Sequence, residues 1–231
     1  MPSSLQFISG GVPVRMYADE PATASGPAQR RPAIVLLHGS GGHVDFWTAR
    51  LGPLLREARI GLYAPHYFDR TNTARADLAT ITDGVHVPKW IDTIDAALAF
   101  VAARSTVDSS RVVLAGISLG GFLATSFAAQ LSSSADPQEY QRICALLEIS
   151  GGLVPPYDSL ATSRMPPTLI LHGAADEIVP VSFARDLDLK LTELGVMHQT
   201  EVLSNEGHWF SGGSLPRILL AVSSFLEPHL Q

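Results

Sequence analysis

The chain has 231 residues, 46% of them hydrophobic and 16% charged, with a formal net charge of −6. That balance supplies the core of one large domain and excludes an intrinsically disordered chain, and its aperiodic glycine and proline exclude a collagen-like one. With no Lys/Arg-rich run, a nucleic-acid or anionic-membrane partner has no electrostatic basis, and a lone Cys144 forms neither an internal disulfide nor a Cys/His zinc site.

From the N-terminus, Met1–Gly10 lacks the basic and then apolar regions of a secretory signal. Leu5–Ser9 and Val12–Tyr17 predict a hairpin turning at Gly10-Gly11, an antiparallel edge. The Ala/Ser/Gly-rich stretch ending in Gln29-Arg30-Arg31-Pro32 reads as a surface loop. Ala33–His38, Ile60–Ala64, Val112–Gly116, Ala145–Ile149, Thr168–His172 and Gln199–Leu203 are short apolar runs without alternation, as parallel strands buried on both faces should be. Between them, Lys89–Arg104 places Trp90, Ile91, Ile94, Leu98 and Val101 close to an i, i+3, i+4 stripe. Leu119–Leu131, Val181–Leu194 and Leu215–Leu226 are further helices, with Gly195 stopping the second. Tyr67–Val87 reads as irregular apart from a weak helical patch at Thr73–Thr80. The whole is a single α/β domain over 1–231, a mostly parallel sheet of about eight strands flanked by helices. No apolar run is long enough to cross a bilayer, and a cytoplasmic protein, monomer or homodimer, is expected.

Four segments at strand ends carry chemistry. Gly116-Ile117-Ser118-Leu119-Gly120-Gly121 follows a strand and opens a helix, the context of a nucleophile elbow. The sharp turn lifts the Ser118 hydroxyl above the sheet and aims the helix N-terminus at the reacting centre. The alternative is a glycine-rich turn whose serine caps the helix. Leu37-His38-Gly39-Ser40-Gly41-Gly42 follows the Ala33–His38 strand, and its glycines let backbone N–H groups face a cavity. The N–H groups of Ser40 and Leu119 are the expected oxyanion donors, and His38 is expected to be structural. Asp176, in Leu171-His172-Gly173-Ala174-Ala175-Asp176-Glu177, falls where a loop at the carboxyl end of the sheet could face a histidine, and Glu177 is expected to face solvent. His208 lies in Asn205-Glu206-Gly207-His208-Trp209-Phe210, after the last strand. The chain order Ser118, Asp176, His208 is that of the α/β-hydrolase type, not of the chymotrypsin or subtilisin type. No His pair has ligand spacing, so neither metal nor other cofactor is implied.

These segments resemble the dienelactone hydrolase-like branch of the α/β-hydrolases, small cap-less enzymes that cleave esters and lactones. The resemblance runs from about Pro32 to Phe225. It rests on the Gly116–Gly121 elbow, the His172-Gly173…Asp176…Val179-Pro180 segment, Gly207-His208-Trp209-Phe210, and the strand exit Leu62–Arg70. True dienelactone hydrolases use a cysteine nucleophile where this chain has Ser118, and a loop glutamate where it has Gly39. What the resemblance implies is therefore general ester hydrolysis by serine, with a small-molecule substrate and no cofactor, while the absence of a large cap predicts an open site suited to short acyl or aryl esters. Between Ala145–Ile149 and Thr168–His172, where related enzymes insert a cap, Gly151–Pro167 leaves no room for one. Gly39, Tyr67, Phe68, Arg70, Trp209 and Phe210 are the candidate substrate contacts. A thioesterase, a small peptidase with the same triad, and a non-catalytic ligand-binding module on this scaffold are the alternatives.

Overall fold

A computed structural model describes residues 2–21 and 30–231. Met1 and most of the expected Ala/Ser/Gly-rich loop, 22–29, lie outside the described residues. The strands, labelled in chain order, form one eight-stranded sheet in the order β1-β2-β4-β3-β5-β6-β7-β8. By internal contacts the chain divides into two compact units, Met1–Leu114 and Ala115–Gln231, the boundary falling inside strand β5 (Val107–Ile117).

In the first unit, β1 (Pro2–Ser9) and β2 (Val12–Asp19) pair antiparallel, with Ser9 opposite Val12. The turn holds Gly10 at φ +49° and Gly11 at φ +80°, a left-handed pair that only glycine adopts without strain. β2 is antiparallel to β4 (Gly61–Pro65), and β4 is parallel to β3 (Arg31–Leu37). Helix α1 (Val44–Glu57) is not among the expected helices. Val44, Trp47, Leu51 and Leu55 recur at helical spacing, but the face they share carries Thr48 and Gly52, both buried, and Pro53 stands in the interior, so the apolar pattern is interrupted. The small face has a packing reason: a Cβ on Gly52 would stand 2.8 Å from an Asp19 carboxylate oxygen. The stretch read as irregular after β4 contains a 3-10 turn, Tyr67–Thr71, and a short helix α2 (Leu78–Thr82) capped by Asp77, whose Oδ1 accepts the Thr80 N–H at 2.9 Å. Helix α3 (His86–Ala102) buries Trp90, Ile91, Ile94, Leu98 and Val101, the stripe that the periodicity predicted.

In the second unit, helix α4 (Leu119–Ser133) leads through a short α5 (Pro137–Tyr140) to β6 (Ala145–Ile149). β7 (Thr168–Gly173), α6 (Ser182–Glu193), β8 (His198–Leu203) and α7 (Leu215–Leu230) follow. β6, β7 and β8 are parallel neighbours, with Leu146 opposite Thr168 and Thr168 opposite His198. Leu146, Leu169, Ile170 and Leu171 are fully buried, each such side chain contributing about 1.5–3 kcal/mol. α4 is buried around most of its circumference, as its Ala/Leu/Phe composition requires. The connection from β6 to β7 carries one 3-10 turn, Tyr157–Leu160, where a cap would otherwise stand. Among the described residues, no helix is long and apolar enough to cross a membrane.

Candidate active site

Ser118 sits between the end of β5 and the start of α4 at φ 57°, ψ −121°. For a residue with a Cβ this backbone conformation costs on the order of 1–3 kcal/mol, held only because the surroundings over-determine it. The Ser118 N–H donates to Ile149 O at 2.8 Å, and the Ser118 carbonyl accepts the N–H of Gly121 at 2.8 Å and of Phe122 at 3.1 Å. Gly116 is obligatory, because a Cβ there would lie 2.0 Å from the carbonyl oxygen of Gly120. The serine side chain makes no capping bond to α4, so the helix-cap alternative does not describe it.

Its hydroxyl instead faces His208, with Nε2 3.0 Å from Oγ. On the other side of the ring, His208 Nδ1 lies 2.7 Å from Asp176 Oδ2. All three side chains are buried. Burial raises the Asp176 pKa, but the Val179 N–H, the His208 ring and the Ile178 N–H together outweigh it and hold the carboxyl below its ordinary range. An ionised carboxylate only accepts, so the His208 proton is on Nδ1 and the Nε2 lone pair is presented to the serine hydroxyl. Asp176 thus serves two loops: Oδ1 ties down its own turn by accepting from Ile178 (2.9 Å) and Val179 (2.8 Å), while Oδ2 orients the imidazole. Glu177 is exposed.

The backbone brings these loops together. Ala174 N–H donates to Leu203 O and Ala175 N–H to Glu206 O, both at 2.9 Å. The approach is close enough that a Cβ on Gly173 would stand 2.2 Å from Gly207 O. Beyond His208, Glu206 closes the loop on itself, accepting from the Ser211 N–H (2.7 Å), the Ser211 hydroxyl (2.5 Å) and the Ser214 hydroxyl. Hydrogen bonds from the Ser211 and Ser214 side chains and the Ser211 N–H keep its carboxyl below the ordinary range.

Residues that the sequence pattern did not single out also meet here. His172, fully buried, lies with Nε2 2.9 Å from Val179 O and 3.4 Å from Asp176 Oδ2. A carbonyl only accepts, so the His172 proton is on Nε2, and its buried Nδ1 has no partner. Its place four residues before Asp176 was the available signal. Glu148 was legible only as a lone acid inside the apolar run Ala145–Ile149.

Leu119 opens α4, and its N–H belongs to the first turn of that helix. In the first unit, Gly39 and Ser40 lie on the loop after β3. Gly39 O accepts the Gly42 N–H at 3.0 Å, and Ser40 O accepts the Ala76 N–H at 2.9 Å. Beneath the loop, the buried His38 ring donates from Nδ1 to Gly39 O at 2.8 Å, and burial pushes its pKa down to about 4. It stacks on Tyr67, with centroids 4.0 Å apart, and meets the edge of Phe68. This corrects the expectation that Tyr67 and Phe68 face substrate. Both rings are core, packed around His38 and Trp90, and the Tyr67 hydroxyl donates to His38 O at 2.7 Å. Arg70 is half-buried against the hairpin turn, where a Cβ on Gly10 would strike its guanidinium. Trp209 is 57% exposed, edge-on to the His208 ring at 4.9 Å, and Phe210 is half-exposed. Among the described residues, no three His, Cys, Asp or Glu side chains lie together as metal ligands would.

Sheet order, elbow and convergent loops define an α/β-hydrolase fold. The solved structures it resembles agree. A putative dienelactone hydrolase from Klebsiella pneumoniae subsp. pneumoniae MGH 78578 superposes with a TM-score of 0.77 at 17% identity, covering 98% of each chain. The dienelactone hydrolase-like promiscuous phosphotriesterase P91 from metagenomic libraries gives 0.79 at 18%, covering 100% of this chain and 99% of that one. Est1E from Butyrivibrio proteoclasticus gives 0.74 at 16%, covering 98% of each. No curated protein sequence matches the chain. A family model described as phospholipase/carboxylesterase matches residues 18–230, and the chain belongs to that family. It is a carboxylic ester hydrolase by class.

Proposed function

We propose that the chain hydrolyses short acyl or aryl esters, lactones included, through an acyl-enzyme on Ser118. The observation that carries this reading is the continuous path from Ser118 Oγ through His208 to Asp176, with links of 3.0 and 2.7 Å. His208 Nε2 takes the serine proton as Oγ attacks the ester carbonyl, and Asp176 stabilises the imidazolium that forms. The N–H group of Leu119 is assigned to the developing oxyanion, reinforced by the positive end of α4. His208 then returns the proton to the leaving alkoxide, and a water activated by the same nitrogen releases the acid.

Ser118→Ala is expected to lower kcat on p-nitrophenyl acetate by on the order of 10³-fold or more, with the melting temperature unchanged. A fluorophosphonate probe should label the wild type and not the variant. Near-wild-type turnover by the variant would remove the mechanism, and a panel of matched oxygen ester, thioester and amide would separate esterase from thioesterase and peptidase.

A further inference from the structure

The next-to-last residue of β6 is a glutamate with no place in the proton path. Glu148 is fully buried, its Oε1 accepts the N–H of Gly151, and its Oε2 has no partner. Oε1 fills the gap between two glycines. A Cβ on Gly151 would lie 2.8 Å from it and 3.0 Å from Ser118 O, and a Cβ on Gly121 would lie 3.0 Å from it. The adjacent residue, Ile149, accepts the Ser118 N–H. The end of β6 therefore holds the elbow at two points: a carbonyl on Ser118 and a carboxyl wedged beside the first turn of α4.

We propose that Glu148 is a positioning residue of the nucleophile elbow, its carboxyl fixing the Gly151 turn against the start of α4 so that Ser118 keeps its raised conformation. The proposal rests on the reading of Ser118 as nucleophile. Of the elements packed on β6 in this unit, α4 and the Ala115–Ile117 end of β5 have no ionisable side chain and β7 contributes only His172; Asp176 and His208 lie beyond, in the loops. Burial pushes the Glu148 pKa up to about 8, the Gly151 N–H opposing this only in part. The wedge is thus a neutral acid at pH 7. As pH rises through about 8 it becomes an anion under the positive end of α4, where it opposes the oxyanion that the same helix stabilises. Ionisation therefore lowers kcat.

The experiment measures kcat and KM for a short ester from about pH 6 to about pH 9.5 in wild type, Glu148→Gln and Glu148→Leu, with fluorophosphonate labelling of each. Wild-type kcat is expected to fall with a midpoint near pH 8, and this limb should be absent in E148Q. At pH 7, E148L, which lacks the acceptor, should lose about tenfold or more in kcat with KM within about threefold, and E148Q should recover most of the loss. A carboxyl that only fills space would leave wild type and E148Q with the same alkaline profile, and that result overturns the proposal. So does an E148L variant with wild-type kcat; if E148L does not fold, the comparison of wild type with E148Q decides. Absence of labelling and turnover in the wild type would overturn the serine reading itself, and the Glu148 assignment with it. Labelling with unchanged profiles overturns Glu148 alone.

Discussion

Replacing Gly173 by alanine tests whether the loops of the site are held by backbone contact. The added Cβ would stand 2.2 Å from Gly207 O and 2.4 Å from Glu206 O, where a carbon and an oxygen approach no closer than about 3.3 Å. The 206–207 backbone must retreat by about 1 Å, straining the bond from Ala175 N–H to Glu206 O. Overpacking of about 1–3 kcal/mol plus a lost hydrogen bond of about 1 kcal/mol gives a destabilisation of about 2–4 kcal/mol. For a chain of this length that lowers the melting temperature by roughly 5–15 °C. The displaced backbone carries His208 as its next residue. Moving Nε2 about 1 Å from its 3.0 Å contact with Ser118 should cost about 100-fold in kcat. Gly212→Ala is the control, since a Cβ there meets nothing within 4 Å. Circular-dichroism melting and p-nitrophenyl acetate turnover would be compared across the three proteins. A G173A variant with the kcat and melting temperature of G212A would refute the reasoning.

Asp176→Asn places an amide where His208 Nδ1–H needs an anionic acceptor, so kcat should fall about 10³–10⁴-fold with little change in KM; a loss under about tenfold would show that the imidazole needs no such partner. The β6–β7 connection carries a single 3-10 turn, so kcat/KM should decline from acyl chains of about 2–4 carbons to chains of about 12. A p-nitrophenyl ester series rising toward the long chains would contradict the open site.

β4, β6 and β7 were legible because burial on both faces leaves continuous apolar runs, and β6 was found at its observed limits, Ala145–Ile149; β8, also expected to be buried on both faces, is only half-buried up to Leu203. α3 was legible from its apolar stripe, and its start was missed by three residues because Val85, preceding it, makes no side-chain cap. α1 was missed although Val44, Trp47, Leu51 and Leu55 follow a helical period, because Thr48, Gly52 and Pro53 interrupt the apolar pattern within it. Tyr67 and Phe68 looked like a pocket wall because they follow a strand, yet which way a ring turns depends on its neighbours, here His38 and Trp90.

The amino-acid order alone determined the elbow, since glycine at 116 and strand before helix are local steric requirements. It also determined that an acid and a histidine follow at later strand ends. Tertiary structure decided that Ser118 and His208, 90 positions apart, stand within hydrogen-bond reach, and Asp176 and His208, 32 apart, likewise. It alone brought His172 against the acid and Glu148 under the elbow. Periodicity records how each segment meets its own layer, whereas contacts between separate loops depend on strand register and on sub-ångström backbone approach, as at Gly173.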